Sequence, residues 1–154
     1  LLAARGDEVG ASLYDKPTNA IQKLLSHDNL ALPIDVIVRK GSEAKMLEDV
    51  NKKDMIADVG PETIEILKKV IKNSAFVLWN GPLGFYEEGF DKGTREILET
   101  LAESDAVSIV GGGDTVEIIN EMDLADDFDF VSTGGGATLD FLAEGTLPGI
   151  EALG

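Results

Sequence analysis

Apolar positions along the chain fall into two alternating patterns, short unbroken runs and stretches with apolar residues three or four apart. Ile34 to Val38, Met55-Ile56-Ala57, Ala75 to Trp79, Ala106 to Val110 and Phe128 to Val131 are runs of strand length. Between them, Ile21, Leu24 and Leu25 follow Pro17 at helical spacing, and Ile64, Leu67, Lys68 and Ile71 trace a helix with Pro61 in its first turn. Ile97, Leu98 and Leu101 mark another helix, Val116 to Met122 the next, and Leu139, Phe141 and Leu142 begin the last. Residues 41–53 read as loop with a short helix, and Leu1 to Gly6 as the last turns of a helix closing on a glycine C-cap, so that the chain begins within an element. Strands alternating with helices predict an α/β fold built on a parallel sheet.

Glycine supplies the chemistry. Gly111-Gly112-Gly113-Asp114-Thr115 and Ser132-Thr133-Gly134-Gly135-Gly136-Ala137 each lie between a predicted strand and a predicted helix. Consecutive glycines there let backbone approach a ligand, and the following helix directs its unpaired N–H groups and positive dipole end at an anion. In open α/β sheets ligands sit outside the carboxyl ends of the strands, where both clusters and the turn Asn80-Gly81-Pro82-Leu83-Gly84 fall. Neither cluster is a Walker loop, since no Lys-Ser or Lys-Thr follows it, and neither is GxGxxG. Asp114 has two compatible readings, an N-cap paired with Glu117 and a ligand for Mg²⁺. Thr115 offers a hydroxyl or amide to phosphate. Glu87, beside Pro82, Leu83 and Phe85, suits ribose hydroxyls next to an adenosine pocket. Trp79 reads as core, His27 as a surface residue, and Asp126, Asp127 and Asp129 as a solvated acidic loop.

Composition narrows these readings. A chain of 154 residues with 44% hydrophobic and 27% charged residues is that of an ordinary globular protein with a real core. It has no cysteine, no run of membrane-span length and no signal-peptide pattern at its start, which fits a cytoplasmic location. A formal net charge of −16 argues against partners with nucleic-acid backbones or anionic membranes, which are bound by Lys and Arg. It also means that a phosphate site here draws positive charge from Mg²⁺ and backbone dipoles, or from basic residues outside this chain.

Taken in order, Trp79-Asn80-Gly81-Pro82-Leu83-Gly84, Gly111 to Thr115, Ser132 to Thr138 and Leu147-Pro148-Gly149 resemble phosphoglycerate kinase. Leu32-Pro33-Ile34-Asp35 and Asp58-Val59-Gly60-Pro61-Glu62-Thr63 are similar to further segments of that family, so the resemblance spans nearly the whole chain. It implies the C-terminal, nucleotide-binding domain of a two-domain enzyme. That domain is a doubly wound, Rossmann-like, mostly parallel sheet with helices on both faces in three layers. Residues 1–154 would form an incomplete copy of it, without the N-terminal triose-binding domain.

By the resemblance, Leu32, Pro82 and Phe85 line the adenine pocket, Asn80 contacts nucleotide phosphate and Glu87 the ribose. Asp114 serves the metal and Thr115 a phosphate. Gly111, Gly112 and Gly113, with Gly134, Gly135 and Gly136, offer amides to the transferring phosphoryl group. The implied reaction moves the acyl phosphate of 1,3-bisphosphoglycerate to ADP, giving ATP and 3-phosphoglycerate with Mg²⁺, in a monomeric enzyme. The family's glycine-rich segment and paired lysines fall before Leu1, and its transition-state arginine belongs to the other domain, so the chain alone is expected to be inactive. Two other readings compete: a non-catalytic nucleotide- or partner-binding α/β domain, and a dehydrogenase-type domain that prefers NAD to ADP.

Overall fold

The computed structural model describes residues 1–12 and 18–153. They divide into two compact units: Leu1–Leu67 with Gly84–Gly93, and Lys68–Leu83 with Thr94–Gly154.

The first unit opens with α1 (Leu2–Arg5), which ends as predicted on a left-handed glycine, Gly6 at φ 104°. Helix α2 (Asn19–Leu25) is capped by Thr18, whose hydroxyl accepts from the Ile21 amide at 3.3 Å. The predicted start at Pro17 lies outside the described residues. Strand β1 (Asp35–Val38) runs antiparallel to β2 (Glu43–Met46) on one side and to β3 (Ile56–Val59) on the other. Val36, Val38, Leu47 and Val50 form the core beside this sheet. Of the loop and short helix expected at 41–53, a 3-10 helix at Leu47–Asp49 is present, but Glu43–Met46 is instead the edge strand β2, which bears Glu43 and Lys45 and buries too little to leave an apolar signature. The antiparallel sheet is likewise a difference from the mostly parallel arrangement expected.

Two buried aspartates at strand positions hold helix starts. Asp35 accepts from the amides of Glu62 (2.9 Å) and Thr63 (2.7 Å), in the first turn of α3 (Pro61–Lys72), and from the Thr63 hydroxyl (2.6 Å). Asp58 does the same for α4 (Lys92–Ala102), accepting from the Gly93 amide at 3.1 Å. Both helices run on from the first unit into the second.

The second unit holds the parallel sheet β4-β5-β6, formed by Phe76–Asn80, Val107–Gly111 and Phe130–Ser132. Its register aligns Asn80 with Gly111 and Gly111 with Ser132, so the three carboxyl ends lie in one row. Helices α5 (Gly113–Glu121), α6 (Gly135–Glu144) and α7 (Pro148–Glu151) complete the unit. Leu98, Leu101, Val110, Ile118 and Ile119 are fully buried. The parallel sheet flanked by helices is the α/β fold expected. On one sheet face, however, Phe76, Leu78, Val107 and Phe130 remain 40–55% exposed, so the described residues do not supply the second helix layer there. Asp129 is exposed on the bend before β6, as read, and it also holds that strand. Its carboxylate accepts from the Ser108 amide (2.8 Å) and hydroxyl (3.2 Å), and its own amide donates back to that hydroxyl (3.1 Å), which pins the start of β6 to β5.

Candidate functional site

The row of strand ends in the second unit continues into turns that remain hydrogen-bonded to one another. The Gly81 amide donates to the Gly111 carbonyl, and the Gly112 amide to the Ser132 carbonyl, each at 3.1 Å. Gly112 makes this possible at φ 103°, ψ 130°, a conformation that excludes a side chain in practice. From there α5 starts at once, with Gly112 as its N-cap and no side-chain cap. Asp114 is therefore in the first helical turn and is not the N-cap. The glycine turn starts the helix two residues earlier than that reading assumed.

Helix α6 begins in the same way, on Gly134 with no side-chain cap. Its turn is braced by hydroxyls: Ser132 Oγ and Thr138 Oγ1 lie 2.8 Å apart, the Gly134 amide donates to Ser132 Oγ at 3.2 Å, and Thr138 Oγ1 donates to the Gly134 carbonyl at 3.1 Å. The residue types gave no signal for this pair beyond their place in the second cluster.

Asn80 joins the two glycine clusters. A Cβ on Gly111 would lie 2.9 Å from Asn80 Oδ1. One on Gly135, which is buried, would overlap the same oxygen and stand 2.7 Å from the Gly112 nitrogen and 2.8 Å from its Cα. The Gly112 backbone thus demands glycine at 135, whereas at 111 an added methyl would press only on the Asn80 side chain. Gly113 and Gly136 have open space where a Cβ would stand, next to the uncapped helix starts. Unpaired amides there, with the positive ends of two helix dipoles, form a surface suited to a polyanion.

The remaining predicted residues divide between the units. Pro82 and Asp114 belong to the second unit, Pro82 half-buried and Asp114 exposed. Thr115 is fully buried, its Oγ1 has no hydrogen-bond partner among the described residues, and it lies 3.6 Å from where a Cβ on Gly112 would stand. Trp79 is half-buried and donates from Nε1 to the Gly81 carbonyl at 2.6 Å, which makes it a probe of this turn. The Leu83 amide is held by the hydroxyl of Thr94, a fully buried residue that sequence reasoning missed. Leu32, Phe85 and Glu87 belong to the first unit, where Leu32 is half-buried and Phe85 and Glu87 are exposed, Glu87 on a 3-10 turn at Tyr86–Glu88.

For a divalent cation the donor set is sparse: the described residues hold no group of three or more His, Asp or Glu side chains. A single carboxylate such as Asp114 beside a phosphate surface nevertheless fits Mg²⁺, which keeps several waters and is completed by substrate phosphates. No described helix is long and apolar enough to cross a membrane.

Comparison with known proteins identifies the family. The family model for phosphoglycerate kinase matches residues 1–145. A solved phosphoglycerate kinase from Coxiella burnetii is 38% identical, with a TM-score of 0.84 over 97% of this chain and 42% of the other. One from Pyrococcus horikoshii OT3 is 28% identical, with a TM-score of 0.75 over 99% of this chain and 42% of the other. The chain thus spans less than half the length of these relatives. Since the family match takes in both glycine turns, Asn80 and the loop bearing Glu87, the chain belongs to the phosphoglycerate kinase family.

Proposed function

We propose that this chain supplies the Mg-nucleotide half-site of a cytoplasmic phosphoglycerate kinase, which moves the acyl phosphate of 1,3-bisphosphoglycerate to ADP and back. The observation that carries the reading is the pair of uncapped helix starts drawn together around Asn80, Gly111, Gly112 and Gly135. Phosphoryl transfer asks a protein chiefly to position groups and to stabilise charge on the moving phosphate. In this reading the amides of Gly113, Asp114, Gly135 and Gly136 take the phosphate oxygens and Asn80 orients them. Thr115 supports the turn. Asp114 holds Mg²⁺, which when bound neutralises charge on the nucleotide phosphates. Leu32, Pro82 and Phe85 contact adenine and Glu87 accepts from the ribose hydroxyls.

The chain alone lacks turnover in this proposal, because cations and a triose site must come from elsewhere in the enzyme. Removing a single charge-stabilising donor from a comparable site costs roughly 10²–10³ in rate, and here several are wanting. Titration of the chain with Mg-ADP and with NAD, followed through Trp79 fluorescence, tests the half-site. Saturable quenching by Mg-ADP alone is expected; preference for NAD would overturn it. A coupled assay for ATP formation should read background, and turnover by the chain alone would refute the predicted dependence on other parts.

A further inference from the structure

Asp58 is a carboxylate that the proposed chemistry does not use. It is 4% exposed, and burial is the main cause that raises its pKa above the ordinary carboxylate range, with Asp91 adding a like charge. Such a group is costly to bury, and two amides repay part of that cost: Asp58 Oδ1 accepts from Val59 at 2.8 Å and Oδ2 from Gly93 at 3.1 Å.

The segment between Gly84 and Gly93 is built to reach this carboxylate. A Cβ on Gly84 would lie 2.6 Å from Asp58 Cγ and 2.7 Å from the Ala57 carbonyl oxygen, and one on Gly93 2.8 Å from Asp58 Oδ1 and from Val59 Cγ2. Both ends of the loop therefore need glycine in order to lie on β3. The Phe85 amide donates to the Ala57 carbonyl at 2.9 Å, and Arg39 Nη2 pairs with Glu88 Oε1 at 2.7 Å. Between these tethers the loop is closed on itself, with the amides of both Glu88 and Phe90 bonded to the Phe85 carbonyl and that of Gly89 to the Tyr86 carbonyl. A loop this compact moves as a piece, so the place of Glu87 is set where its ends are fastened.

We propose that Asp58 is a positioning residue for Glu87: by clasping the loop at Gly93 it fixes the carboxylate that receives the ribose hydroxyls of a nucleoside diphosphate. The proposal rests on the nucleotide reading above and assigns to that site a residue on a different strand. A role confined to capping α4 would alter stability alone. A positioning role alters how well the site distinguishes a ribose from a sugar without hydroxyls.

Asp58→Asn separates the two. The volume is kept, but an amide has one acceptor oxygen for two N–H donors, so either Val59 or Gly93 loses its partner. Calorimetry with ADP and with 2′,3′-dideoxyADP, both with Mg²⁺, gives the preference directly. The wild-type chain should favour ADP by about tenfold to a hundredfold, a range set by hydrogen bonds to an ionised carboxylate. In Asp58→Asn, as in Glu87→Gln, the preference should fall below about twofold, and hydrogen exchange at the Phe85, Glu88 and Phe90 amides should quicken in Asp58→Asn. If Asp58→Asn does not fold, Gly93→Ala moves the loop end off an intact carboxylate and should lose the preference equally. A folded Asp58→Asn that keeps the wild-type preference overturns the proposal while leaving the nucleotide reading intact. A wild-type chain that binds neither nucleotide overturns that reading, and this proposal with it.

Discussion

Gly135→Ala and Gly136→Ala, neighbouring changes in one helix, should have opposite signs. Both positions are in the first turn of α6, where alanine is intrinsically favoured over glycine by up to about 1 kcal/mol. At Gly136 nothing stands within 4 Å of the added methyl, so that gain is kept and the variant should be unchanged or more stable by up to about 1 kcal/mol. At Gly135 the methyl meets Asn80 Oδ1 and the backbone of Gly112, at 2.7 Å from its nitrogen and 2.8 Å from its Cα. Backbone cannot swing aside as a flexible side chain does, so either α6 lifts or the Gly112 turn moves, and the Gly112 amide then strains its 3.1 Å bond to Ser132. Overpacking of this kind costs about 1–3 kcal/mol, and a lost backbone hydrogen bond about 1 kcal/mol more. After the helix-propensity gain is subtracted, Gly135→Ala should be destabilised by about 1–3 kcal/mol, which leaves about 2–4 kcal/mol between the two variants. Urea unfolding followed by Trp79 fluorescence and by circular dichroism measures the difference, since Trp79 is bonded to the adjoining Gly81 turn. Equal stabilities would refute the claim that the two glycine clusters touch.

Two further predictions follow from buried or paired carboxylates. Asp129→Ala removes the acceptor for the amide and hydroxyl of Ser108, a residue 2% exposed, and should cost about 1–3 kcal/mol by chemical denaturation; an unchanged midpoint would leave Asp129 as a solvated loop residue only. The pH dependence of stability should carry two opposite contributions. Because the Asp58 pKa is raised in the fold, the folded chain keeps a proton the unfolded chain has lost, so stability falls as pH rises from the ordinary carboxylate range to that raised value. Asp54 is held below that range, first by the Asn51 backbone amide and then by Lys45, so its contribution is present above the range and is lost as pH falls through its lowered value. Unfolding curves across acid pH should lose the first slope in Asp58→Asn and the second in Asp54→Asn, and slopes unchanged in both variants would contradict the assignments.

Much of this architecture was legible in the residues. Pro61 with Ile64, Leu67 and Ile71 marked α3, and the apolar runs at 75–79 and 106–110 marked β4 and β5 to within a residue, because buried periodicity and proline punctuation are local properties. The two glycine clusters announced themselves for the same reason, as did the left-handed stop at Gly6. Edge strand β2 was hidden because its residues bury little, and the antiparallel pairing of β1 was hidden because pairing is a relation between distant segments that no window of sequence contains.

Sequence alone therefore determined the α/β class, most of the elements and the family, all of which rest on residue type and spacing. Tertiary structure decided which groups meet: Asn80 with Gly111 and Gly135, Asp35 with Thr63, Asp129 with Ser108 and Asp58 with Gly93. It also decided that Gly112 rather than Asp114 begins α5, and that Thr115, expected to offer a hydroxyl or amide to phosphate, is fully buried. The physical reason is one of range. Propensity and burial pattern act over a few residues, whereas a hydrogen bond across 21 to 35 positions exists only after the chain has closed on itself.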